Sequence, residues 1–301
     1  MIDVITNKED LINELTSLAS KGSYVFRGYS IQNQMLPNLI RNNAVDIEME
    51  LLYRFEKYAS QYLSVNNPID FLSYAQHFGL STRLLDFTYN PFVALYFALF
   101  KDKPTKANNP EDKEYYYIRY CDVQDNLCLE EIPIVNEGEF FQSLSMAENC
   151  KKLFQTLEIM YGHPTANPLL NRNTIVKRIS LLSGKKDNRI LSEYEIHSKL
   201  SGNNMLLIDP NQSNQRIVMQ QGLFMLCYFL DKESHERIIQ DNTHLIKIHK
   251  SLRDGLQTYL NTIGITAYRL MLDLASVCSA VEQQVRDERK RKSPLFKKKS
   301  Y

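Results

Sequence analysis

The sequence predicts a single α+β domain with a mostly antiparallel central sheet surrounded by helices. Three observations carry that expectation. Short runs rich in Val, Ile, Tyr and Phe lie toward both ends of the chain, segments with apolar residues at helical spacing lie between them, and no internal repeat is visible. At 301 residues, 44% apolar and 24% charged, the chain can build a sizeable core, with 18 Tyr and 14 Phe replacing the absent Trp as aromatic volume.

The elements follow in order. Residues 8–20 place Leu11, Ile12, Leu15 and Leu18 on one helical face, and Gly22 ends the run. Residues 23–26 read as a short strand that is left at Gly28. Residues 46–63 predict an amphipathic helix with Met49, Leu52, Phe55 and Leu63 on one side. Pro68 opens a helix that Gly79 stops, and the segment 80–89 follows without an assigned element. Asn90 then caps a helix with Pro91 at its first position, where a missing N–H costs nothing. That helix, PFVALYFALF, is apolar all round and must be buried, with Ala94 and Ala98 forming a small-residue face. A polar loop at 101–113 precedes a strand at 114–123. Strands are expected again at 205–208, 223–229 and 245–248, followed by helices at 251–262 and 266–289 broken at Gly264. The stretch 124–203 is the least legible: a helix near 143–160 and a long loop, open to being an insertion or a lid over a site. Residues 1–285 form the domain, and 286–301 form a basic tail expected to be disordered.

Composition removes several function classes. The cysteines, at 121, 128, 150, 227 and 278, have neither zinc-ligand spacing nor even number, which predicts free thiols in a reducing compartment and no metal. No basic segment followed by an apolar run opens the chain, and the longest apolar stretch, 91–100, is too short to span a bilayer. A cytoplasmic protein without membrane association is expected. The tail carries eight Lys/Arg against two Asp/Glu, so with +1 overall the remaining chain carries about −5. Such a tail attracts polyanions, nucleic acid included, or simply solvates the chain end.

Three segments could carry chemistry. In YVFRGYS (24–30) a guanidinium at a strand end precedes a glycine that permits close backbone approach. Arg27 suits bidentate recognition of a phosphate, or else pairs with an aspartate to hold two segments together. In AQHFGLSTRLLDFTYNP (75–91), Gln76, His77, Ser81, Thr82, Arg83, Asp86, Thr88 and Asn90 are crowded among apolar residues, so they form either an internal network or one wall of a cleft. In NQRIVMQQGLFMLCYF (214–229), Gln220 and Gln221 precede a strand and can hydrogen-bond but not act as bases. Glu193 and Glu195 are spaced like paired acids, although flanking basic residues make a solvated face the plainer reading. There is no Walker loop, dinucleotide GxGxxG, HExxH or GxSxG.

These residues resemble the FRG domain family. The triplet Phe26-Arg27-Gly28 carries the likeness, together with a signature from Ala75 to Ala98 that runs Ala-Gln-His-x-Gly-x-x-Thr-Arg-Leu-Leu-Asp-x-Thr-x-Asn-Pro into an Ala-Leu-x-Phe-Ala helix. Further landmarks are Leu36-Pro37 to Arg41, Arg216 to Phe224, and an element near Ile263 to Leu274. Ser81, where proline is more usual, and Phe87, where tryptophan is common, depart from the pattern. The resemblance implies a bacterial or prophage origin and brings no settled activity. A fainter similarity to the arginine–serine–glutamate layout of ADP-ribosyltransferases implies an NAD-cleaving or ADP-ribosylating enzyme, a toxin or phage-defence protein, acting on a phosphate-bearing small molecule and a protein or nucleic-acid target. It implies Arg27, Thr82, Asp86 and His77 as catalytic residues, and Arg27, Gly28, Ser81, Thr82, Arg83 and Gln221 around NAD. The glutamate of that layout has no counterpart at Gln220 or Gln221. The alternative is a non-catalytic recognition module with a structural Arg–Asp network. An enzyme should hold Arg27 and Asp86 open in a concave, electropositive cleft, and a binding module should hold them sealed.

Overall fold

The computed structural model describes residues 2–63, 65, 67–100, 110–130, 145–160, 205–210 and 215–271, and beyond these Cys278, Val281, Glu282, Val285 and Arg289. Glu193, Glu195, the 161–204 part of the middle stretch and nearly all of the basic tail lie outside the described residues.

Eight strands form one mixed sheet: β1 (Ile2–Ile5), β2 (Tyr24–Tyr29), β3 (Leu84–Thr88), β4 (Tyr115–Asp122), β5 (Leu127–Glu130), β6 (Leu206–Asp209), β7 (Gly222–Leu226) and β8 (His244–His249). Their order is β1-β8-β4-β2-β3-β7-β6-β5. The outer pairs β1/β8 and β5/β6 are parallel, and the five between them antiparallel, so the sheet is mostly antiparallel.

Helices cover both faces. In chain order they are α1 (Lys8–Ser20), α2 (Asn38–Arg41), α3 (Glu48–Ala59), α4 (Pro68–His77), α5 (Pro91–Phe100), α6 (Glu111–Glu114), α7 (Met146–Met160), α8 (Gln215–Gln220), α9 (Lys232–Asn242), α10 (Arg253–Thr262) and α11 (Ala267–Leu270). Along β2 and β4, neighbouring residues divide between two cores, as the period-2 alternation of a strand requires. Phe26, Tyr116 and Ile118 pack with α1, α5 and α10 through Leu11, Leu15, Ala94, Leu256 and Leu260. Val25, Tyr29, Tyr117 and Cys121 pack instead with α3, α4, α7 and α9 through Leu52, Leu72, Phe154 and Ile238. The face of α3 falls where periodicity puts it, with Leu52 buried and Met49 and Phe55 packed against the core. The helix is shorter than expected, ending at Ala59 with Leu63 beyond it.

Some elements differ from the sequence reading. Residues 80–89, to which the sequence reading assigned no element, contain a central strand, Leu84–Thr88. Its neighbours Leu84, Leu85, Phe87 and Thr88 are all buried and only Asp86 is open, which destroys the alternation that marks a strand. β2 runs on to Tyr29 rather than stopping before Gly28. β1, β5, α8 and α9 were not anticipated. Four-residue strands and a six-residue helix offer too few residues for a period, and the mean of α9 is strongly polar.

One detail of the pairing positions the site. β2 pairs with β4 from Tyr24 through Tyr29, and β3 pairs with β7 along its whole length. Between β2 and β3 the register holds a single pair, Phe26↔Thr88. Past that rung the strands part and the sheet opens.

Candidate functional site

The opening is occupied by Arg27. Its guanidinium replaces the ladder that β2 and β3 do not make, with Nη1 donating to the Asp86 backbone carbonyl at 2.6 Å and Nη2 to the Gln34 carbonyl at 2.8 Å. The Asp86 carboxylate is farther off, at 3.8 Å. The Arg27 side chain is 13% exposed and that of Asp86 63%, so the pair is neither wholly open nor sealed. Burial works against the Arg27 charge, Asp86 restores part of it, and Arg41 opposes it again. The Arg41 charge is likewise disfavoured by burial and supported by Asp86. The Nε of each arginine is buried without a partner, a state that costs about 1–3 kcal/mol per donor.

Gly28 follows on β2 because helix α5 lies directly over it. A Cβ there would stand 1.7 Å from the Ala94 carbonyl oxygen. Asn90 starts that helix as expected, its Oδ1 accepting from the N–H of Phe92 and Val93.

Two adjoining depressions run along the opening. The first is lined by Arg27, Gly28, Arg41, Asp86 and Arg216 among others. The second is lined by Asn38, Gln76, His77, Phe224 and others. Asp86, Phe87, Arg216 and Gln220 border both, so the two are one cleft. Asp86 is the single carboxylate in either lining, against three guanidinium groups, and the cleft is cationic.

A relay behind the wall fixes that carboxylate. The Thr82 hydroxyl donates to Gln76 Oε1 at 2.5 Å, and Gln76 Nε2 donates to Asp86 Oδ1 at 2.7 Å. Because the Asp86 carboxylate can only accept, the Gln76 N–H₂ must face it, and the Thr82 hydroxyl donates to the remaining Gln76 oxygen. His77, at the end of α4, sits 3.3 Å from Arg216 Nη1 through its Nδ1.

The structure thus brings Arg27, Gly28, Asp86 and His77 of the expected residues to one cleft, with Thr82 one hydrogen bond behind it. The other three lie elsewhere. Ser81 accepts a hydrogen bond from Asn42 Nδ2 at 2.8 Å and does not line the cleft. Arg83 is 3% exposed, bound through Nε to Glu48 at 2.7 Å, paired with it again through Nη2, and stacked 3.5 Å from the Phe154 ring centroid. It lies just before β3 and is committed to the core, paired with Glu48 and not with Asp86. Gln221 occupies the left-handed turn between α8 and β7, at φ 48°, where its carbonyl accepts from Tyr89 N–H. Its neighbour Gln220 takes the place at the cleft.

Arg41, Arg216, Gln34 and Asn38 were not anticipated as site residues. Arg41 and Arg216 were already visible as the outer landmarks of the family pattern, and nothing local marks either as facing Arg27. Among the described residues no group of His, Cys, Asp and Glu could hold a metal ion, and no helix is long and apolar enough to cross a membrane.

No curated protein and no solved structure matches the chain. A family model described as the FRG domain matches residues 22–107, a span that begins just before β2, ends beyond α5 and includes Arg27, Arg41, His77 and Asp86. The chain therefore carries an FRG domain, and most of the cleft described above belongs to it.

Proposed function

We propose that the cleft binds a phosphate-bearing nucleotide, and that the protein acts on NAD as an ADP-ribosylating or NAD-cleaving enzyme in a bacterial, phage-defence setting. The supporting observation is the cleft's charge pattern: Arg27, Arg41 and Arg216 around one exposed carboxylate whose position is fixed by Gln76 and Thr82. Guanidinium groups match phosphate oxygens in geometry and charge. In this reading the arginines take the pyrophosphate, and Asp86 faces the nicotinamide ribose. The C–N bond to nicotinamide breaks with its electron pair leaving on nicotinamide. Positive charge then builds on the ribose, where a pre-positioned carboxylate lowers the barrier. Water or a target side chain forms the new bond to the same carbon and gives up a proton. Asp86, on β3 and paired in register with Phe224 of β7, would do what a glutamate does in ADP-ribosyltransferases.

The second reading is a non-catalytic recognition module, and it rests on Arg27 spending both Nη groups on backbone carbonyls. Thermal midpoints with and without NAD, for wild type, Arg27→Ala and Asp86→Asn, separate the two. Ligand at a hundredfold over its dissociation constant stabilises by about 2.7 kcal/mol, a shift of about 2–4 °C per kcal/mol for a chain of this size. The enzyme reading expects that shift in wild type and in Asp86→Asn, its loss in a folded Arg27→Ala protein, and nicotinamide release by wild type only. No shift in wild type, with Arg27→Ala strongly destabilised, gives Arg27 a purely structural role and establishes the recognition module.

A further inference from the structure

The two depressions differ in chemistry, and the difference constrains the ligand beyond its phosphates. To the Asp86, Arg216 and Gln220 that both share, the first adds Arg27 and Arg41. The second adds His77, the apolar Ile217, Leu223 and Phe224, and the amides of Asn38 and Gln76. An amide usually offers a donor and an acceptor that can exchange places, but here partners fix which end is which. Gln220 Nε2 donates to the Leu270 carbonyl at 2.8 Å, and since a carbonyl can only accept, the amide nitrogen must face it. Its Oε1 is left as an acceptor with no partner among the described residues, and it is not among the sealed polar atoms. Asn38 is fixed the opposite way. Its Oδ1 accepts from Arg41 Nη2, and a guanidinium can only donate, so the Asn38 N–H₂ remains as a donor. Gln76 is spent at both ends on Thr82 and Asp86.

We propose that the second depression reads a planar nitrogen heterocycle carrying a hydrogen-bond donor and an acceptor, with Gln220 Oε1 accepting and Asn38 Nδ2 donating, so that the ligand is a nucleotide recognised by its base as well as by its phosphates. The proposal rests on the phosphate-binding reading of the first depression. A base edge or the carboxamide of nicotinamide satisfies it equally, whereas an isolated phosphate, a sugar phosphate or an acyl phosphate does not use the apolar wall. Gln220 is the residue that decides specificity because it borders both depressions.

The test uses the full chain and calorimetric titration with three probes: inorganic pyrophosphate, NAD and ADP-ribose. Wild type should bind NAD at least tenfold more tightly than pyrophosphate. Gln220→Leu should lower NAD affinity about tenfold or more while leaving pyrophosphate within twofold, which also shows that losing the Leu270 contact has not disturbed the fold. An equal loss of both probes overturns the proposal by making Gln220 merely structural, and so does wild type that binds NAD no better than pyrophosphate. If NAD binds with Gln220 sensitivity but pyrophosphate does not bind, the phosphate reading fails and the reading subsite stands. If neither binds, both fail. ADP-ribose, which lacks nicotinamide, tells the sources apart. Retained Gln220 sensitivity assigns the subsite to adenine, and lost sensitivity assigns it to the carboxamide.

Discussion

At the scale of single residues, two arginines near Asp86, Arg27 on the neighbouring strand β2 and Arg83 just before β3, have opposite fates, and the sequence does not distinguish them. Arg27 and Arg83 both precede or sit within buried strands. Arg83 is closed in with Glu48 under the Phe154 ring, the two side chains 4% and 7% exposed. Taking two charges out of water is expensive, and the pair holds only while both partners remain. Glu48→Gln, which leaves the buried Arg83 without a counter-charge, should destabilise the protein by about 3–5 kcal/mol in urea unfolding. Replacing both residues by Leu and Met should recover most of that loss. A single variant within about 1 kcal/mol of wild type would mean that the pair contributes nothing. The crowded polar segment 75–91 left a network and a cleft wall open as readings, and the structure divides it between the two: Asp86, Gln76 and His77 line the cleft while Arg83 is buried. Thr82 and Arg83, just before β3, look like cleft residues in sequence because nothing in their chemistry records which way the chain turns them.

At the scale of elements, α5 and β2 explain why a glycine follows the arginine. The Ala94 carbonyl oxygen and the Ala98 nitrogen stand 1.7 and 3.1 Å from where a Cβ on Gly28 would be. Backbone cannot yield as a side chain does, so Gly28→Ala must push the whole helix off the sheet. Gly22, at φ 78° with nothing within 4 Å of its Cβ position, gives the comparison. Gly22→Ala should lower stability by about 1 kcal/mol through backbone strain alone. Gly28→Ala should cost at least 3 kcal/mol or fail to fold, as thermal midpoints would reveal; equal effects would contradict the packing described. The long apolar run of α5 and the capped start at Asn90 made this helix legible at once. β3 was missed because burial on both faces erased its alternation, and β1 and β5 were missed because four residues carry too little pattern.

At the scale of the whole molecule, the α+β architecture follows from the order of apolar runs, while the position of the cleft follows from pairing, which no local pattern encodes. Arg41, Arg216 and Arg27 are brought together from three distant segments. A fourth distant segment supports them. His235 of α9 is 1% exposed, and its Nε2 donates to the Met35 carbonyl at 2.8 Å, one residue from the Gln34 carbonyl that holds Arg27. Burial pulls its pKa below 6.5, the Met35 carbonyl and Glu236 act the other way, Arg27 lowers it further and Asp231 raises it. The folded protein thus binds fewer protons at this site than the unfolded chain, so stability is lost as pH falls below about 6.5. Urea unfolding between pH 8 and 5 should show wild type weakening on acidification more steeply than His235→Gln. Parallel profiles would remove His235 from that balance.

The single rung between β2 and β3 has a mechanical consequence. The sheet consists of two four-stranded leaves, β1-β8-β4-β2 and β3-β7-β6-β5, joined by the pair Phe26 and Thr88 and by the Arg27 side chain. Arg27 also lines the cleft. Were a guest to draw the guanidinium off its carbonyls, it would loosen the seam between the leaves, and pressing the leaves together would hold the guanidinium back. By linkage the two effects would be equal in free energy, so one side chain would set both the grip on a guest and the closure of the seam.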